Sequence, residues 1–186
     1  ADASLGVPSV DDLRWKTPLP FGLSCPVLSK DKIFLTGIEN KHLLTIALER
    51  ESGKVLWKKK VPKTEIEKFH PSSSPATPTP FVEEKRLYVY FGSYGLICYD
   101  HQGLETWKKP LPTPRSLYGT ASSPLVHENL LIQVIDDDAN MPNSQVSRSR
   151  ILALDKESGE IIWERFRPFH RSGWSTPTIW EHGSSR

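Results

Sequence analysis

Four tryptophans set the frame of this chain. Trp15, Trp57, Trp107 and Trp163 are each followed, five residues on, by a proline: Pro20, Pro62, Pro112 and Pro168. Upstream of the last three the pattern deepens, as ALERESGKVLW (47–57), CYDHQGLETW (98–107) and ALDKESGEIIW (153–163). A glycine stands four places before each of these tryptophans, at Gly53, Gly103 and Gly159. The tryptophans are 42, 50 and 56 residues apart. That period marks an array of supersecondary units with variable loops.

One unit explains the pattern. SSPLV (122–126), LLIQV (130–134), RILALD (150–155) and IIWERF (161–166) are short segments rich in branched apolar residues, which predicts four strands. Asp155 and Gly159 bracket a tight hairpin, because Asp bonds its own backbone and Gly accepts positive φ. The Trp offers a broad surface to pack between sheets, and its indole N–H needs a partner. The proline then stops the strand. The first unit repeats this over 26–28, 32–37, 43–49 and 54–61, and the second over 80–82, 86–92, 95–100 and 104–110. In the second unit the turn 100–103 is one residue shorter, with Gly unmoved relative to Trp. No long stretch carries a helical apolar stripe, and 16 prolines disfavour a helix bundle.

Four antiparallel strands per unit is the pattern of a β-propeller blade. The repeats resemble the bacterial PQQ-like (quinoprotein-dehydrogenase-like) β-propeller family, and the resemblance runs over about residues 13–180. The expectation is an all-β fold with blades at about 24–63, 73–114 and 121–168, plus orphan strands at about 12–18 and 174–180. The family resembles seven- and eight-bladed rings, which take about 315–360 residues to close. A chain of 186 residues is therefore expected to be part of a longer propeller, or to pair through its open blade edges with another chain.

Composition removes several function classes. A net charge of +2 argues against an electrostatic nucleic-acid binder. No apolar run is long enough to span a membrane. Two cysteines, Cys25 and Cys98, make neither a disulfide scaffold nor a thiolate zinc site.

Candidate chemistry is sparse. Asp136, Asp138 and Asn140 open like a calcium loop, but Met141 stands where Gly is needed and Ser147 where the bidentate Glu belongs. An inserted, solvated loop is the simpler reading. His42, His70, His101, His127, His170 and His182 show no metallohydrolase spacing. His101 and His127 fall in turns, where exposure is expected. His70 and His170 follow blade-ending strands in parallel contexts, Phe69-His70 and Phe169-His170, and are candidates for the top or channel face. PSSSPATPTP (71–80) contains Pro75-x-x-Pro78, read as an inter-blade connection and not a polyproline ligand. Lys58, Lys59 and Lys60 read as a decorated outer edge.

The resemblance implies two kinds of function. One is a non-catalytic scaffold that binds protein or ligand, as in the family's outer-membrane-assembly lipoproteins. The other is a quinone- or calcium-dependent oxidoreductase whose site lies in further blades. Its dehydrogenases carry an adjacent cysteine pair, a stacking Trp and acidic and Asn calcium ligands. Cys25 and Cys98 are isolated, and no Asp/Glu–Asn set can be assigned. The expectation is no catalytic, cofactor-binding or metal-binding residue in this chain, no cofactor, a possible protein partner and a periplasmic or extracellular location. The residues with a defined role are structural: Trp15, Gly53, Trp57, Gly103, Trp107, Gly159 and Trp163.

Overall fold

The computed structural model describes residues 10–138 and 148–180. Strands β1 (Val27–Leu28), β2 (Lys32–Glu39), β3 (His42–Glu49) and β4 (Val55–Lys60) form one antiparallel sheet in chain order. Strands β5 (Phe81–Val82), β6 (Arg86–Phe91), β7 (Gly95–Asp100) and β8 (Glu105–Pro110) form a second. The third contains β9 (Leu125–His127), β10 (Leu130–Ile135), β11 (Arg150–Asp155) and β12 (Ile161–Phe166). The only helix among the described residues is a single 3-10 turn at Val10–Asp12. This is the all-β, partial-propeller architecture expected from the repeats.

Local chemistry sets the hairpins. Asn40 and Lys41 both have positive φ (50° and 62°), giving the two-residue turn whose twist matches antiparallel strands. The Asp155 carboxylate accepts hydrogen bonds from the backbone N–H of Glu157 and Ser158 (3.1 and 2.8 Å), and Gly159 N–H bonds Asp155 O at 2.8 Å. Each outer strand also has a register shift beside its Trp. Ala47 pairs Trp57 while Leu48 pairs Val55, so Leu56 is the extra residue, and Thr106 and Ile162 repeat this.

Three of the four tryptophans do not merely pack between sheets; each sits on the glycine of the next unit. Trp15 covers Gly53, Trp57 covers Gly103 and Trp107 covers Gly159. A Cβ on Gly159 would stand 2.6 Å from Cε3 of Trp107, and one on Gly103 would stand 2.9 Å from Cδ2 of Trp57. The indole N–H groups then reach backbone oxygens of the same turns: Trp15 to Arg50 (3.0 Å), Trp57 to His101 (3.1 Å) and Trp107 to Lys156 (2.9 Å). The glycine thus has two duties, a positive φ (69°, 82° and 73°) and a bare surface for a neighbouring ring.

The core lies between sheets. Phe34, Leu43 and Ala47 meet Leu87, Val89, Phe91, Ile97 and Tyr99 across the first junction. Tyr88, Tyr90, Leu96, Cys98 and Trp107 meet Leu131, Ile135, Leu152 and Leu154 across the second. The middle sheet is covered on both faces, which is why β6 and β7 are buried almost throughout. Trp15 and Leu19 cover Leu44, Ile46 and Leu48 on the first sheet. By contrast, β12 leaves Ile162 and Phe166 exposed.

Segments 12–18 and 174–180, expected as strands, lie in no sheet. A ladder needs a neighbouring strand, and the nearest pairing is a lone bridge from Phe21 to Ile38. The stretch 71–80 is an inter-sheet connection, anchored where Ala76 O accepts from Leu23 N–H, Ser24 N–H and Thr36 Oγ1.

Candidate functional site

The chemistry-bearing residues collect at one end of the sheets, where β4, β8 and β12 finish and connecting segments begin. Each connecting segment contributes an aromatic group to a continuous row. The His70 ring lies 5.0 Å from Tyr118, and Tyr118 meets Trp174 edge-on at 5.3 Å. The row is half-open to solvent: Phe69 is 40%, Tyr118 42% and Trp174 39% exposed. Trp174 is oriented by its indole N–H bond to Gly119 O (3.2 Å). His70 stands at the connecting end, and His170 is there too, its ring turned back to Pro168 O at 2.9 Å.

Beside this row lies a cavity of about 700 Å³ between the β2–β3 turn and the first connecting segment. Ile38, Val61, Ile66 and Phe69 supply its apolar lining, and Lys41, Lys63, Glu65 and Glu67 its charged one.

The aspartate triplet that resembled a calcium-loop opening is occupied otherwise. Asp136 pairs with Arg167 (2.9 Å) and accepts Gly173 N–H (3.0 Å). Asp137 holds Arg115 and Arg148 (3.4 and 3.2 Å). Asp138 accepts Ser172 N–H at 2.8 Å and Ser172 Oγ at 2.5 Å, with Arg171 at 3.9 Å. Asn140, Met141 and Ser147 lie outside the described residues, as does His182. The triplet is thus a clasp that shapes the third connecting segment, where Phe169 and Trp174 both take positive φ (64° and 52°). Asp138→Ala is expected to release it, seen as hydrogen exchange across 170–175 accelerating by about tenfold or more, with the sheets unchanged.

Deeper still is Glu67, 5% exposed. Its Oε1 accepts from Thr120 Oγ1 (2.7 Å), tying the first connecting segment to the second, and its backbone N–H donates to Ser93 Oγ (3.0 Å). Oε2 has no hydrogen-bond partner among the described residues. Burial raises the carboxyl from its ordinary 4.5 to about 7, against the opposing pull of the Thr120 bonds. Gly92 permits this approach: a Cβ there would stand 2.7 Å from Glu67 Oε1 and would meet Thr120.

Sequence reasoning missed Glu67, the Trp–Gly seats and the clasp's partners. It placed His101 in solvent, whereas the ring lies 5.1 Å from Phe34 and Nε2 lies 2.9 Å from Glu83 O. Cys25 is exposed, and Cys98 is buried in the second sheet.

The model of the family described as outer membrane protein assembly factor BamB matches residues 8–176. The chain belongs to this family. Solved structures agree on the fold. BamB from Moraxella catarrhalis superposes with a TM-score of 0.52 at 16% identity, over 83% of this chain and 42% of that one. The quinohemoprotein alcohol dehydrogenase from Comamonas testosteroni gives 0.53 at 16%, over 79% and 21%. A europium-containing methanol dehydrogenase gives 0.53 at 13%, over 80% and 25%. The chain thus spans less than half the length of each. No curated protein sequence matches it.

The propeller family's dehydrogenases imply a quinone and a calcium ion, and the described residues do not fit them. The acidic cluster at the connecting end is already held by arginines and backbone N–H groups. The two cysteines are not adjacent: Cys25 lies exposed in the segment before β1 and Cys98 is buried in β7.

Proposed function

We propose that this chain is a non-catalytic propeller module that binds a protein partner outside the cytoplasm, with the connecting end of its blades as the binding face. The observation that carries this reading is the division of labour at that end. The Asp136–Asp138 carboxylates are paired internally, while aromatic side chains from three successive segments are presented outward. Family membership supports a role in outer membrane protein assembly, at the periplasmic side.

Titration with the quinone and calcium tests the reading directly. The expected result is no stoichiometric absorbance change and no rise in melting temperature. A saturable spectral change, or stabilisation that follows the ligand's mass action, would overturn it in favour of an oxidoreductase.

A further inference from the structure

The near-zero net charge conceals two ends of opposite character. At the connecting end Lys41, Lys63, Lys68, Arg115, Arg148 and Arg171 are all exposed. The exposed acids there are Glu39 and Glu65; Glu67 and the Asp136–Asp138 triplet are buried. The triplet lies beneath its guanidinium groups: Asp137 is 11% exposed, against 54% and 52% for the Arg115 and Arg148 side chains it holds. The charges exposed at this end are therefore mostly basic. At the hairpin end the balance reverses. Asp31, Glu51, Glu84, Glu157 and Glu160 are exposed there, against Lys30, Arg50, Lys54 and Lys85.

We infer that the connecting end docks an acidic, extended peptide segment of a partner protein, seating an apolar side chain of that segment in the cavity beside Phe69. The inference rests on the binding-module reading above and names the partner's chemistry. Charge complementarity with the six exposed bases of this end, against two exposed acids, selects the acidic character, and Lys41 and Lys63 stand at the cavity beside the apolar Ile38, Val61 and Ile66. About 700 Å³ is in the range that accepts a large side chain or small ligand. From there the row Phe69–His70–Tyr118–Trp174 continues as an aromatic track. Its rings are 5.0 and 5.3 Å apart from His70 to Trp174, the reach of about three residues of extended chain. A concave cavity carrying Glu65 on its wall suits a peptide better than the plane of an anionic membrane.

The test uses the whole chain and three probes: a fluorescein-labelled peptide of Glu and Phe, its Lys and Phe counterpart, and phosphatidylglycerol vesicles. Saturable binding is expected for the acidic peptide alone, falling about tenfold between roughly 50 and 300 mM NaCl. Lys41→Glu with Lys63→Glu is expected to weaken it about tenfold more, while Lys54→Glu with Lys85→Glu at the hairpin end leaves it within about twofold. Equal affinity for both peptides, no saturable binding, equal loss in both variants, or binding to vesicles without the acidic peptide would each overturn the inference. The quinone and calcium titration judges the underlying reading separately. If that titration is silent and the peptide also fails, only the peptide inference falls.

Discussion

Replacing Trp107 with alanine is expected to destabilise the protein by about 3–5 kcal/mol, the range for truncating a buried aromatic, whereas Trp163→Ala costs about 1 kcal/mol or less. The two residues occupy the same position of the repeat, so sequence alone treats them alike. Their surroundings differ. Trp107 is 9% exposed, lies on Gly159 and donates to Lys156 O, so its removal opens a void between the second and third sheets and orphans a bond. Trp163 is half-buried, and its indole has no hydrogen-bond partner among the described residues. Urea unfolding at fixed pH reads both values. Equal losses for the two variants would show that the ring stabilises its own sheet and does not lock it to the next.

Stability is also expected to fall as pH rises through neutrality, with Glu67 as the cause. A buried carboxyl raised from 4.5 to about 7 is favoured in its neutral form by the fold. Its contribution is complete below pH 4.5 and is lost as pH rises through about 7. The gap corresponds to about 3 kcal/mol. Glu67→Gln keeps the shape and the acceptor for Thr120 but carries no charge at any pH. The variant should therefore match the wild type at about pH 4, below 4.5, and exceed it by up to about 3 kcal/mol at about pH 8. Melting temperatures of both proteins across that window separate this group from all others. Parallel profiles would mean that Glu67 is ionised at no cost in the fold.

What could be read from the sequence was local. The alternation in ILALD, the Asp–Gly hairpins and the spacing from Gly to Trp all act within a dozen residues, and they placed the strands of all three sheets. What escaped it was contact between units. The glycine four places before each Trp read as a turn residue, because nothing local shows that the preceding unit's ring lies on it. Glu67 sits in the polar run KTEIEKF, which looks solvated; its burial depends on Thr120, 53 residues away. Asp136 and Asp138 read as part of a solvated, inserted loop because the four arginines that claim the Asp136–Asp138 run come from three separate segments. His101 read as exposed for the same reason, its acceptor being in another turn. The flanking segments 12–18 and 174–180 have strand-like sequences but lie in no sheet of this chain, since strand structure is conferred by a partner.

The most direct test of the account is a double-mutant cycle between Trp107 and Gly159, followed by urea unfolding. If units are locked serially by ring on glycine, Gly159→Ala is severe in the wild type, where its Cβ meets the indole at 2.6 Å, and mild once Trp107 is alanine. The residual cost is then only the positive φ, about 1 kcal/mol. The account predicts a coupling of more than about 1 kcal/mol between the two sites. Additive losses would contradict it.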